Sequence, residues 1–434
     1  MAQWQIFIKK ILSKNDLFLI AAIWFISRIL IWTTILLMAT KNSGWETGIV
    51  SSLNWGIFEA WDSVHYRIIA TTGYEFVDDG KEHNLAFFPL FPLTIKILMN
   101  LGLSFEASGL LINNFAFLGA ICFLYFWLKD YYGIKVAIWA VFVLSFYPSA
   151  MFTGVIYTEG LYLFLSTAAL WAFECQDYRW TVFWGALATA TRPTGIALVP
   201  ALAIAAWKER RPPIAYFASL ASATGILLFS LYCAIYFHNP LAFIAAQRGW
   251  RPSLGFDWQG WLNMLMQIVV GDNWKFGWVQ NPNGGLQDPW HPLLFGVVVG
   301  GIFLIWRNQK SVHSMNRIYG FYALIAFLLI IAEEAFINNL LNALMLLGGG
   351  FVLWHLRTKL SPVAVTYGFC GIALLLASGG TISLSRIAYG IVPLSIAIGV
   401  LLSRHPRQGY LMLGLFAMLL VKLAVGFAQE QWVG

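Results

Sequence analysis

The stretch Trp61-Asp62-Ser63-Val64-His65-Tyr66 holds a carboxylate set among aromatic rings, and Gly73-Tyr74 and Asn84-Leu85-Ala86-Phe87-Phe88-Pro89 follow close behind. Aromatic faces can wall a site for sugar rings. A low-dielectric surround shifts a carboxyl group's proton affinity toward that of a general base. The plainer alternative is an interfacial Asp whose oxygens serve local hydrogen bonds, the commoner fate of a single loop carboxylate. From these residues alone both readings stay open.

Other polar residues fall where apolar runs meet loops. Glu159 comes two residues after Tyr157, and Arg192 interrupts the run from Trp180 to Trp207. Gln247, Arg248, Trp250 and Arg251 lie in a polar segment, and Arg386 follows Ser383-Leu384-Ser385. A guanidinium presents a planar fork of donors that suits phosphate oxygens. Snorkelling or pairing with a nearby acid is the alternative for each. Arg192 and Arg386 have the stronger claim on a lipid phosphate, because each stands at the edge of an apolar wall. Arg28 and Lys422 lie inside apolar runs and are expected to be structurally paired. Glu333, Glu334, Asn338 and Asn339 form an acidic patch whose role stays open, and no His or Asp spacing there supports a metal. Cys122, Cys175, Cys233 and Cys370 have no CxxC pairing and read as small buried hydrophobes.

The elements that must position these groups are membrane helices. The chain is 59% hydrophobic, 17% aromatic and 11% charged, with mean hydropathy +0.70, against roughly 25% charged for a soluble globule. Its net charge of +7 fits topology and anionic lipid, not nucleic acid. Candidate spans are Leu17–Thr40, Glu106–Lys129, Lys135–Met151, Ile156–Glu174, Trp180–Trp207 as two half-spans, and Ile214–Phe237. The second half adds Trp290–Trp306, Ile318–Ala332, Phe336–Leu356, Pro362–Ser378, Ser385–Ser403 and Tyr410–Ala428. That is about 13 crossings of an all-α integral membrane protein. The first follows Lys9, Lys10 and Lys14 and reads as an uncleaved span. With the N-terminus inside, every inner loop is basic, from Lys129 and Lys135 through Arg179, Lys208, Arg307 and Arg357 to Arg404. The run from Leu85 to Leu101 is then an interfacial helix. A single transmembrane domain over residues 1–434 results, with long outer segments at 41–105 and 238–289. The polar candidates gather on that outer face.

Taken together, these words resemble the GPI mannosyltransferase 2 (PIG-V-like) family. The resemblance rests on Trp61 to Tyr66, Gly73-Tyr74, Ala86 to Pro92, Phe146 to Ala150 with Tyr157-Thr158-Glu159, and Thr191 to Gly195. Gln247 to Trp250, and Ser383 to Arg386 with Tyr389 and Pro393, continue it. It implies a GT-C-type polytopic bundle with the catalytic acid in the first outer loop, on Asp62. It also implies a sugar taken from a polyprenyl or dolichyl phosphate. Eukaryotic members add the second mannose of the GPI anchor. The short loops here look bacterial, so a glycolipid, a cell-wall glycan or a protein is the expected acceptor. The expected location is the bacterial inner membrane with the site facing outward, or the endoplasmic reticulum in a eukaryote.

On this reading Asp62 takes the acceptor's proton as a hexose, mannose first, is transferred with inversion, while Arg192 and Arg386 neutralise the departing lipid phosphate. Trp61, His65, Tyr66, Phe88, Tyr157, Glu159, Gln247 and Trp250 are the expected substrate contacts, with His65 one turn from Asp62. A phosphate leaving group needs no general acid, and no metal or other cofactor is required in principle. The competing readings are another sugar by the same mechanism, a non-catalytic scaffold, and a secondary transporter or flippase. The transporter would want midplane charges and repeated halves.

Overall fold

The computed structural model describes residues 14–42, 55–251, 255–307 (except 272, 277–278, 281–284 and 287–289) and 314–433. A long first helix, α1 (Lys14–Asn42), leads to two short helices of the segment 41–105, α2 (Asp62–Thr71) and α3 (Leu90–Asn100). The bundle continues through α4 (Phe105–Tyr132), α5 (Ile134–Phe146), α6 (Glu159–Glu174), α7 (Tyr178–Thr191) and α8 (Leu198–Lys208). After α9 (Pro213–Ala221) and α10 (Thr224–Phe237) come the short elements of the segment 238–289: α11 (Ala242–Ala246), α12 (Trp258–Val270) and α13 (Asn273–Phe276). A two-residue antiparallel ladder pairs Val279 with Leu286 and Gln280 with Gly285. The chain ends with α14 (Trp290–Arg307), α15 (Ser314–Ile331), α16 (Glu334–Ala343), α17 (Gly349–Leu356), α18 (Pro362–Leu376), α19 (Leu384–Tyr389), α20 (Val392–Arg404) and α21 (Pro406–Ala428).

Helix ends fall where side chains can satisfy orphan backbone groups. Ser104 caps α4 through Ala107 N, Asp257 caps α12 through Gly260 N, and Ser361 caps α18 ahead of Pro362. The apolar run from Trp180 to Trp207 is broken at Arg192-Pro193 into helices of 14 and 11 residues. Proline disfavours helical backbone at the residue before it, and Arg192 is accordingly extended.

This is a multi-pass membrane protein. Among the described residues, four helices are long and apolar enough to cross a bilayer: Asn15–Ala39, Phe105–Tyr132, Glu334–Leu356 and Pro406–Ala428. The pair Pro213–Ala221 and Thr224–Phe237, bent by 40°, adds a fifth if it is one span. Other expected spans are shorter apolar helices, such as Ile134–Phe146 and Val392–Arg404. Helix lengths therefore support the polytopic class and not the finer count of about 13.

The core centres on α4, α5, α6 and α20, where Phe117, Leu124, Leu144, Leu163 and Leu394 are fully buried. One end of the bundle is closed by contacts among basic-loop residues. Arg211 donates to the Phe173 carbonyl, and the Tyr132 hydroxyl accepts from Ser361 N at 2.8 Å. Within the bundle Arg28 bonds Asn114 Oδ1 at 3.2 Å and lies 4.9 Å over the Phe117 ring. Lys422 donates to the carbonyls of Leu329 and Ala332. Both are structurally paired, though with neutral oxygens. The described cysteines are free.

At the other end the segments 41–105 and 238–289 pack on each other. Leu85, Phe88, Phe229, Cys233 and Phe243 form a small satellite core there. Gly249 approaches so closely that a Cβ would stand 2.3 Å from the Lys81 carbonyl oxygen. Gln247 Nε2 donates to the Ala86 carbonyl at 2.9 Å.

Candidate active site

Asp62 opens α2, directly after a backbone outlier: Trp61 has φ 49° and ψ −105°. Such backbone costs of order 1–3 kcal/mol in a non-glycine residue and persists only where its surroundings hold it. Here Ser63 Oγ donates to the Ala60 carbonyl and accepts from Ala60 N. The Trp61 ring meets Phe427 and Trp432 edge-on at 5.3 and 5.6 Å. Asp62 is thus a fixed carboxylate, 8% exposed.

Its partner is Arg386, whose Nη2 lies 2.9 Å from Asp62 Oδ2. Arg386 Nε stands 3.6 Å from Glu159 Oε1, and the same Glu159 oxygen accepts from Arg192 Nη1 at 2.8 Å. A relay Asp62–Arg386–Glu159–Arg192 therefore joins α2, α19, the start of α6 and the end of α7. Its two anions and two cations cancel. The Arg386 guanidinium also rests 5.2 and 5.3 Å from the rings of Phe152 and Tyr157.

Two buried amides hold this relay. Asn113 Nδ2, midway along α4, donates to the carbonyls of Phe152 and Val155, while its Oδ1 accepts from Gly160 N at 2.7 Å. The first turn of α6, and Glu159 with it, is pinned to α4. Asn342 does the same for α19: its Oδ1 accepts from Ser385 N at 2.7 Å and its Nδ2 donates to the Thr381 carbonyl.

A cavity of about 830 Å³ opens beside Asp62, walled by Trp61, His65, Trp250, Asn338, Ser383 and Trp432 among others. A recess of about 130 Å³ leads off it, bounded by Asp62, Phe87, Gln247, Trp250, Arg251 and Arg386. His65 stacks on Phe87 at 4.6 Å and meets Trp250 edge-on at 5.2 Å. Burial holds its ring below the usual imidazole range, against the opposing pull of Asp62 and Glu82.

The residues expected from the sequence divide by this geometry. Trp61, Asp62, His65, Gln247, Trp250 and Arg386 line the cavity or its recess. Tyr157, Glu159, Tyr66 and Arg192 lie behind that lining. Tyr157 donates from its hydroxyl to the Ala60 carbonyl, and Glu159 is 1% exposed between the two arginines. Tyr66 packs edge-on against Phe87 and Phe91. Burial, with Asp62 and Glu159 nearby, keeps its hydroxyl well above the usual phenol range and so protonated. Phe88 points away into the satellite core, against Phe229 and Phe243. Its neighbour Phe87 faces the site instead. Asn113 and Asn342 were readable as amides stranded in apolar runs. Trp432 carried no signal. Asn338 and Asn339, from the acidic patch, reach the cavity, while Glu333 and Glu334 are not part of its wall. Among the described residues no three His, Cys, Asp or Glu side chains gather as a metal site would need.

The family model described as "Mannosyltransferase (PIG-V)" matches residues 7–245, more than half of the chain. The chain belongs to this family. That places it among the membrane glycosyltransferases and agrees with the resemblance carried by the Trp61–Tyr66 motif. Similar proteins include the GPI alpha-1,6-mannosyltransferase 2 of Cricetulus griseus, 25% identical over 280 residues, covering 54% of this chain and 55% of that one. The Homo sapiens protein of the same name is 30% identical over 172 residues, covering 36% and 33%. The match thus spans about half of the first relative's length and a third of the second's. Among solved structures, the Archaeoglobus fulgidus oligosaccharyltransferase AglB in complex with an inhibitory peptide and a dolichol-phosphate aligns with 97% of this chain and 57% of its own. Its TM-score is 0.46 at 13% identity. A score that low leaves the PIG-V site to be argued from its own residues.

Proposed function

We propose that this protein transfers a hexose, mannose first, from a polyprenyl-phosphate-linked donor to an acceptor hydroxyl, with inversion and with Asp62 as general base. The observation that carries this is a fixed carboxylate on the wall of a sugar-sized cavity, backed by a guanidinium. Asp62 takes the acceptor's proton while the acceptor oxygen bonds the anomeric carbon. The bond from that carbon to the phosphate oxygen breaks, and its electron pair leaves with the polyprenyl phosphate. Arg386 stands at the recess where that charge would develop, and preorganised cations stabilise such a transition state without reorganisation. His65, Phe87 and Trp250 offer faces for the sugar ring. The aromatic wall and a buried carboxylate held at the end of the bundle favour glycosyl transfer over transport, which wants charges at the bilayer midplane.

The relay lies at the bundle end opposite the basic loops, so the positive-inside rule points the cavity outward. A bacterial plasma membrane, with a glycolipid, cell-wall glycan or protein as acceptor, is the setting we favour. The test is incubation of the purified protein with a radiolabelled polyprenyl phosphate mannose and a scan of acceptor extracts. Asp62→Asn should lower transfer by about 1,000-fold or more, within the usual range for a lost general base, while the protein stays folded and still binds the lipid. Full activity in that variant removes Asp62 from the mechanism.

A further inference from the structure

The charges of the relay pose a problem for the donor. Asp62, Glu159, Arg192 and Arg386 cancel one another, yet a lipid phosphodiester arrives with one negative charge and departs as a monoester with more. Arg192, which the sequence favours for this task, spends Nη1 on Glu159 and borders neither the cavity nor its recess. Another cation is needed at the recess.

We infer that Arg251 is that cation and that it receives the phosphate of the lipid donor. The inference rests on the donor class proposed above. Arg251 follows Trp250 in the second outer segment, and its backbone N donates to the Gln247 carbonyl at 3.0 Å. Its side chain bounds the recess together with Asp62 and Arg386. Among the described residues no carboxylate stands within ion-pair distance of it, and its Nη1 is buried without a hydrogen-bond partner. An enclosed guanidinium with no anion is costly, and an incoming phosphate would remove that cost. Burial and the like charge of Arg386 lower its pKa to about 10, so it is still cationic at neutral pH. Position agrees with charge. The recess, about 130 Å³, is phosphate-sized and not sugar-sized. It shares Asp62, Trp250, Ser383 and Trp432 with the larger cavity. A phosphate held there puts the attached sugar beside the base.

The test measures binding of a radiolabelled polyprenyl monophosphate to the purified full chain in detergent, with the phosphate-free polyprenol as companion probe. Arg251→Ala should weaken polyprenyl phosphate by about 10-fold or more, the value of a charged hydrogen bond or two. Polyprenol binding should stay within about two-fold, and Arg251→Lys should recover part of the loss. Equal binding of polyprenyl phosphate by Arg251→Ala and wild type overturns the assignment alone. So does a parallel loss of both probes, which marks a structural role. Displacement of the probe by short-chain phosphatidic acid as effectively as by unlabelled polyprenyl phosphate would assign the site to an acceptor headgroup and overturn it as a donor site. Wild-type protein that ignores polyprenyl phosphate overturns the donor reading and this inference with it.

Discussion

Helix α6 begins with one buried glutamate and ends with another, and the two ends use them differently. Glu159 is 1% exposed and Glu174 7%. Each has arginine nearby. Glu159 ties Arg192 to Arg386, and through Arg386 to the carboxylate on the cavity wall. Glu174 instead lies among Ser361, Tyr131 and Arg211. Arg211 gives Nη1 to the Phe173 carbonyl, its face to the Phe173 ring at 4.4 Å, and Nε to Glu209 at 2.6 Å. The C-terminal end of α6 has a hollow of similar size, about 850 Å³, walled by Asp177, Tyr178, Arg179, Trp180 and Phe217 and not by Glu174. Volume does not separate the two ends. What separates them is whether the buried charges reach a cavity or only fasten loops. The helix dipole adds to the difference, since an anion suits the N-terminus of α6 and not its C-terminus.

The sharpest way to break this comparison is to neutralise both acids in turn. Glu159→Gln leaves Arg192 and Arg386 buried without their shared anion, and breaking a buried pair costs about 3–5 kcal/mol. We expect kcat for mannosyl transfer to fall about 100-fold or more as Arg386 loses its place. Glu174→Gln should lower the melting temperature in detergent while kcat stays within about three-fold, as for a change outside the reacting groups. Equal losses of kcat in the two variants would erase the distinction between the ends.

A smaller effect tests how the outer acid is held. A methyl group at Gly160 would stand 2.2 Å from the Asn113 carbonyl oxygen and 2.5 Å from its Oδ1. Both belong to the residue that anchors the first turn of α6, so relief must come from movement of α6 against α4. Gly160→Ala should cost about 1–3 kcal/mol of stability, as overpacking does, and should lower kcat more than it raises KM. A variant with a lowered melting temperature and unchanged kcat would show that Glu159 does not depend on this contact.

The residues differ in how much of this they disclose. Residue type and segment made the site legible: Asp62 and His65 within 41–105, Trp250 within 238–289 and Arg386 at the edge of an apolar run all line the cavity or its recess. The helix break at Arg192-Pro193 was legible because proline disfavours helical backbone at the residue before it. Pairing was not legible. Nothing in sequence spacing says that Glu159 and Arg192 neutralise each other across 33 positions, so both read as ligand contacts when they lie behind the lining. Phe87 and Phe88 are adjacent on opposite sides of one turn. Composition cannot say which faces the cavity. The number of crossings stayed coarse because several apolar runs fold as helices of 10–17 residues, too short for length alone to distinguish a crossing from a packed fragment.

The smallest effect concerns His65, on the wall of the cavity beside Asp62. Its ring is enclosed by Phe87 and Trp250, and burial holds its pKa below the ordinary 6.5 in spite of Asp62 and Glu82. A histidine that takes a proton less readily when folded contributes stability while neutral. That contribution is fully present above about pH 6.5 and is lost as pH falls toward and through the lowered folded value. His65→Phe keeps an aromatic ring between Phe87 and Trp250 and removes the titration. Melting temperatures followed from pH 7.5 down to 5 should therefore drop more steeply for wild type than for His65→Phe. Superimposable wild-type and His65→Phe profiles would mean that the buried ring carries no such charge penalty, and that the outer site is wetter than its stacked aromatics imply.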